Sequence, residues 1–229
     1  MTVLFLPAAQ LASTHTSRFE NLRASLGELL RNRFIAGSWL SAFGGCFGMG
    51  TFLTFLPSYA QNHSLSVKQI GFVFSVQGIC NALSRIPAGQ LSDKVFSIGK
   101  LVILGLIGIA ASVGGFSICR TMVHFAILAA SLGVSMGLAF TSIGALIGQA
   151  SDAKLRGLAM GGFNACIYFG MMLGSVTVGY VVQTNGHEIG FLLAALFSLL
   201  MTGLFYLTVH NSFLPTQGKF GVRRPKTSC

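Results

Sequence analysis

Charge is what this chain has least of. Of its 229 residues only 9% are Asp, Glu, Lys or Arg, and only five are acidic. A water-exposed domain carries roughly 25% charged residues, so this chain has too few to cover a surface in water. It is not short of hydrophobic residues, which make up 52% of it with a mean hydropathy of +0.72. Intrinsic disorder, which needs low hydrophobicity, is thereby excluded. The five cysteines, Cys46, Cys80, Cys119, Cys166 and Cys229, form no CxxC pair. That argues against a disulfide framework or a zinc site and for small buried hydrophobes. No Ser/His/Asp arrangement, phosphate-binding loop or metal-ligand cluster is visible. The chain is therefore expected to be no enzyme and to hold no cofactor or metal.

Long apolar runs fill the space that charge leaves. Six occur, at about 34–59, 67–90, 99–119, 122–149, 158–183 and 189–210. A helix needs about 20 apolar residues to cross a bilayer, so each run is long enough. Strand alternation is absent, which rejects a β-barrel. The expected fold is an all-α membrane protein with six transmembrane helices over residues 34–210. Twenty-nine glycines fit helices packed closely in lipid.

The flanks are different. Residues 1–13 hold a short apolar run, Val3 to Leu6, with no basic stretch before it. They read as neither a signal peptide nor a span. Residues 14–33 repeat Leu22, Leu26, Leu29 and Leu30 at helical spacing, with Arg18, Arg23, Arg31 and Arg33 between them. They read as a helix on the membrane surface or, equally, a solvated linker helix. The chain is thus divided into an N-terminal segment 1–33, a membrane domain 34–210 and a basic tail 211–229.

The net charge of +10 would ordinarily suggest nucleic acid, but the basic residues are scattered between apolar runs. Sorted by connection, thirteen of the fifteen fall on one side, leaving only Lys68 and Arg120 on the other. The positive side faces the cytoplasm, so both termini are expected there, in a plasma or inner membrane.

The second run ends Asn81-Ala-Leu-Ser-Arg85-Ile-Pro87-Ala-Gly89-Gln-Leu91-Ser-Asp93-Lys94. This resembles the G-x-L-a-D-R loop signature of the major facilitator superfamily, between the second and third helices of a six-helix half. Arg156-Gly157-Leu-Ala-Met160-Gly161 looks like the same family's way into its fifth helix. The basic loop departs from the family pattern, because Gly99 and Lys100 come two positions late. The Gly-Pro pair of antiporter halves is also absent. The resemblance covers about 33–210 and implies one half of a twelve-helix transporter, itself a 3+3 inverted repeat. The fourth helix lacks an Arg, and 14–33 would fit the loop joining the halves, so a C-terminal half is expected. The implied activity is alternating-access transport of a small solute, with the lipid bilayer as surroundings and a second half or a second copy as partner. A truncated, non-transporting membrane protein or scaffold is the alternative.

In that resemblance Gly89, Asp93, Lys94, Arg156 and Gly157 form the conformational loop motif. Gly89 would let two helices approach, and Asp93 would cap or pair with a neighbouring helix. Polar residues inside spans are costly unless they line a cavity or bond another helix. The candidates for a substrate pathway are Gln77, Asn81 and Arg85, spaced four apart on one helix face, and Asn164 and Tyr168, four apart on another. Arg85 resembles the Arg of the Asp-x-x-x-Arg element in monocarboxylate-transporter-like members, with Asn81 in the place of the Asp. It reads either as a contact for an anionic solute or as a side chain snorkelling to the cytoplasmic surface. Thr51, Thr54, Ser131, Ser135, Thr141 and Ser142 are expected to serve packing. Trp39 and Tyr59 are expected as interface anchors. No acidic residue lies mid-span, so a buried carboxylate for proton coupling would have to come from elsewhere.

Overall fold

The computed structural model describes residues 23–94 and 98–210, the side chains of 91–94 and 210 excepted. Most of the expected N-terminal segment, the basic tail and the side chains of Asp93 and Lys94 lie outside the described residues. Residues 23–31 form a helix. Six long helices follow: α1 (Arg33–Asn62), α2 (Val67–Lys94), α3 (Ile98–Gly115), α4 (Met122–Ala150), α5 (Arg156–Asn185) and α6 (His187–His210). A 3₁₀ turn, Phe116–Ile118, extends α3. No strand occurs among the described residues.

Five of the six are long and apolar enough to cross a membrane. The exception is α2, where Gln69, Ser75, Gln77, Asn81, Ser84 and Arg85 dilute the apolar run. Run length conceals these polar side chains, whose cost only burial can compensate. The connections are tight. Gly186 alone separates α5 from α6 at φ 86, a left-handed conformation that glycine adopts at little cost, and its N–H closes α5 on the Val182 carbonyl at 3.0 Å.

The helices form three rows of two. α1 and α4 make the middle row. α2 lies on α4 and α5 on α1, while α3 and α6 pack behind them and against each other. Exchanging α1 with α4, α2 with α5 and α3 with α6 leaves the principal packing pairs unchanged. One departure is that α5 also touches α6, where α2 stands off α3.

Glycine makes both front crossings close. At α2–α4, a Cβ on Gly137 would sit 2.8 Å from the Asn81 carbonyl oxygen, and one on Gly133 would sit 3.0 Å from the Asn81 nitrogen. At α1–α5, a Cβ on Gly170 would lie 3.2 Å from the Phe43 carbonyl carbon, and one on Gly174 would lie 3.0 Å from that of Phe47. In lipid, with no water to drive helices together, such backbone contact supplies the dispersion that holds them.

Trp39 and Tyr59 are not interface anchors. Both are buried, at 8% and 4% exposure. The Trp39 indole donates to the Ala159 carbonyl at 3.0 Å, across to α5. The Tyr59 hydroxyl donates to the carbonyls of Ser117 and Cys119 at 3.0 and 3.3 Å, at the end of α3 that would otherwise leave them unpaired. Proximity to a run's end suggested the bilayer surface, but their polar tips find partners inside the bundle.

Cys119 is buried beside that turn at 1% exposure, so a reagent reaches its thiol only when the packing opens. Maleimide is expected to label Cys119 far more slowly than a cysteine placed at exposed Gln183. Equal rates by peptide mass spectrometry would contradict the buried placement.

Candidate functional site

The front of the bundle is where polar side chains and exposure coincide. α2 and α5 flank the α1–α4 pair there, and each has one face sealed by its glycine crossing. On α5, Phe169 stacks on Phe43 at 5.9 Å, and Phe43 also meets Phe197 of α6. That occupies the flank toward α6. Asn164, Tyr168 and Ser175 lie on the other flank, and Tyr168 is 67% exposed. The Asn164 amide donates to the Met160 carbonyl of its own helix at 3.0 Å, which leaves its oxygen free to accept. Ser175 Oγ lies 3.0 Å from the Met171 carbonyl of its own helix and 2.8 Å from Thr54 Oγ1, a hydroxyl contact between α1 and α5.

On α2 the three spaced candidates part company. Gln77 is 6% exposed, with Nε2 3.7 Å from Met136 Sδ, inside the α2–α4 contact. Asn81 is half-buried, and its Oδ1 accepts from Arg85 Nε at 3.1 Å, which fixes the guanidinium's direction. Arg85 is exposed, and no carboxylate pairs with it among the described residues.

The depth of Arg85 follows from the crossing. Asn81 and Ser84 pack on Gly137, almost at the midpoint of α4. Arg85 is one residue further on, and α2 continues to Lys94. At 1.5 Å per residue Arg85 lies about 13 Å from that end of the helix. An arginine side chain reaches roughly half as far. Asn164 is eight residues into α5, about 12 Å from the same end of the bundle. Arg85 and Asn164 are thus at matching depths on the two flanking helices.

The loop-motif residues are placed differently from one another. Gly89 and Gly157 have nothing within 4 Å of a would-be Cβ among the described residues. Ala88 is the buried residue at the Gly89 level. Arg156 Nη2 donates to the Gly148 carbonyl at 2.9 Å, capping the end of α4 from the first residue of α5. Asn32 caps the same end, Nδ2 donating to the Ala150 carbonyl at 3.0 Å. Among the hydroxyls expected to serve packing, Thr51 bonds its own helix at Phe47, and Ser131 accepts from Ser112 of α3.

Sequence reasoning missed two polar contacts. Ser175 follows Tyr168 by seven residues, on the same helix face, so the signal was there. His187, whose Nε2 lies 2.9 Å from Ser58 Oγ, gave no local pattern. No group of three metal-ligating side chains is found among the described residues.

A family model described as the Major Facilitator Superfamily matches residues 38–227. The chain belongs to the major facilitator superfamily. An uncharacterized MFS-type transporter of Methanocaldococcus jannaschii is 26% identical over 187 residues, which are 80% of this chain and 47% of that one. A probable galactarate/D-glucarate transporter of Escherichia coli is 26% identical over 158 residues, 66% of this chain and 35% of its own length. A crystal structure of a peptide transporter in complex with alafosfalin has the same fold at a TM-score of 0.68. The identity there is 20%, over 77% of this chain and 38% of that one. This major-facilitator chain spans about half or less of these proteins. It is a multi-pass integral membrane protein of a transporter family, and not an enzyme.

Proposed function

We propose that this chain is one six-helix half of a secondary transporter, the C-terminal one. It would move a small organic anion by alternating access against a second half or a second copy of itself. In this reading α2 is the sixth crossing, made tolerable by its packing on α4 and by a partner covering its exposed face. The two triplets α1–α3 and α4–α6 are then an inverted repeat, which the exchangeable packing pairs support. The thirteen-to-two division of basic residues supports both termini being cytoplasmic.

The observation that carries the reading is Arg85. A cation at this depth in a bilayer is expensive and marks a pathway. Its bond to Asn81 Oδ1, one turn back along α2, points the guanidinium away from the nearer helix end, where a snorkelling arginine would point toward it. The Asn81 amide aims the guanidinium, and a planar fork of donors suits a carboxylate. Asn164 and Tyr168, at comparable depth on α5, would complete the opposite wall with an acceptor and a hydroxyl. A relative named for galactarate and D-glucarate, both dicarboxylates, supports an anion. Gln77 would hold the α2 wall on α4, without touching solute. Asp93 and Lys94 would bias the inward–outward equilibrium from the cytoplasmic loop, and Arg156 would steady the α4 end beside Gly157.

Proteoliposomes test the reading. Reconstituted chain that dimerises, or is supplied with a matching half, is expected to take up radiolabelled D-glucarate or a related organic anion above protein-free vesicles. Uptake absent for a panel of organic anions, in preparations shown to contain both halves, would defeat it.

A further inference from the structure

Helix 23–31 does not lie loose before the bundle. Leu29 is buried in the core cluster at 2% exposure, and Leu26 packs beside it. Yet Leu30, the next residue, is 57% exposed. Arg23 precedes Leu30 by seven residues and so shares its face. Arg31 and Arg33 follow, both exposed. None of the three arginines has an acidic partner among the described residues. Glu28 points to the other flank, where it lines a cavity of about 460 Å³ with Asp152, Ala153, Lys154 and Leu155. An exposed leucine among unpaired arginines, on a helix docked where α1 begins, suits the boundary between acyl chains and headgroups.

We propose that helix 23–31 and the first residue of α1 form a binding surface for the phosphate headgroups of anionic phospholipids, and that Asn32 couples this surface to the end of α4. Leu30 enters the acyl boundary while Arg23, Arg31 and Arg33 meet the phosphates. Asn32 joins three elements. Its N–H donates to the Leu29 carbonyl at 3.1 Å, closing helix 23–31. Its Oδ1 accepts from Phe34 N at 3.1 Å, opening α1. Its Nδ2 holds the Ala150 carbonyl of α4. Lipid that orders the helix therefore also orders α4, the helix against which α2 and Arg85 are set.

The full chain in neutral mixed micelles is titrated with phosphatidylglycerol or phosphatidylcholine. Bound lipid is counted by native mass spectrometry, and the thermal midpoint is followed in parallel. Each basic side chain near an anionic surface is worth about fivefold in affinity. Phosphatidylglycerol is thus expected to bind roughly 100-fold more tightly than phosphatidylcholine. Arg23→Gln/Arg31→Gln/Arg33→Gln should abolish that preference. Leu30→Ser, which removes no charge and no buried contact, should weaken both lipids equally. Asn32→Ser keeps an uncharged N-cap acceptor for Phe34 and loses the donor to Ala150, so it should bind phosphatidylglycerol normally but gain no thermal protection from it. Equal binding of the two lipids, or a triple variant that keeps the preference, overturns the surface. So does competition by millimolar inorganic phosphate, which would mark a free-anion site instead. Full protection of Asn32→Ser overturns the coupling.

Discussion

Alanine at Gly174 is expected to destabilise the protein by about 3 kcal/mol, whereas alanine at Gly161 is expected to be neutral or to stabilise it by up to about 1 kcal/mol. The two substitutions add the same methyl to the same helix. At Gly174 that methyl would meet the Phe47 carbonyl oxygen and lie 3.1 Å from the Phe47 Cα, all of it α1 backbone. Backbone inside a helix cannot rotate aside, so α1 and α5 must separate along their shared seam. At Gly161 nothing lies within 4 Å, and alanine's better helix propensity is all that remains. Thermal unfolding in detergent, followed by fluorescence-detected gel filtration, measures both. Equal midpoints for the two variants would mean that the α1–α5 crossing is not the close contact described.

Arg85→Ala is expected to lower uptake of an organic anion by about 100-fold, with the loss mainly in apparent affinity. Losing one partner of a desolvated, hydrogen-bonded charge pair costs roughly 2–5 kcal/mol, a factor of about 30 or more. Arg85→Lys keeps the charge but not the fork, and should fall between the variant and the parent. Asn81→Ala removes the acceptor that aims Arg85 Nε and should cost about tenfold, within the range of a hydrogen bond to a charged group. A neutral solute carried by the same preparation should be unaffected by Arg85→Ala. Kinetics in proteoliposomes separate these cases. Unchanged anion uptake in Arg85→Ala would leave the arginine to lipid or to structure.

The fold was legible because membrane solvent imposes so few solutions. Run length gave the helices to within a few residues, and the loop beginning at Gly89 and the Arg156-Gly157 stretch pointed to the superfamily. What sequence could not reveal was which face of a helix is buried. Gln77, Asn81 and Arg85 share a helical stripe by spacing. A stripe is wide, however, and α4 covers the part that holds Gln77 while leaving Arg85 open. Gly89 shows the reverse failure, because this motif glycine has nothing beside its would-be Cβ among the described residues. Ser175 was within reach of periodicity, as the next member of the Asn164 and Tyr168 series. The double cap by Asn32 was not. Its Ala150 partner is 118 residues away, and no local pattern records a contact of that span.

The glycine crossings also set where the helix pairs can tilt. Where a glycine faces backbone, few long side chains interlock across the seam, so each crossing would serve as a fulcrum near mid-depth when the angle between the helices changes. From Gly137 to the end of α4 is about 20 Å, and a tilt of roughly ten degrees there would carry the helix end about 3 Å. The same tilt would barely displace Arg85, one residue from the pivot, while the ends sweep past it.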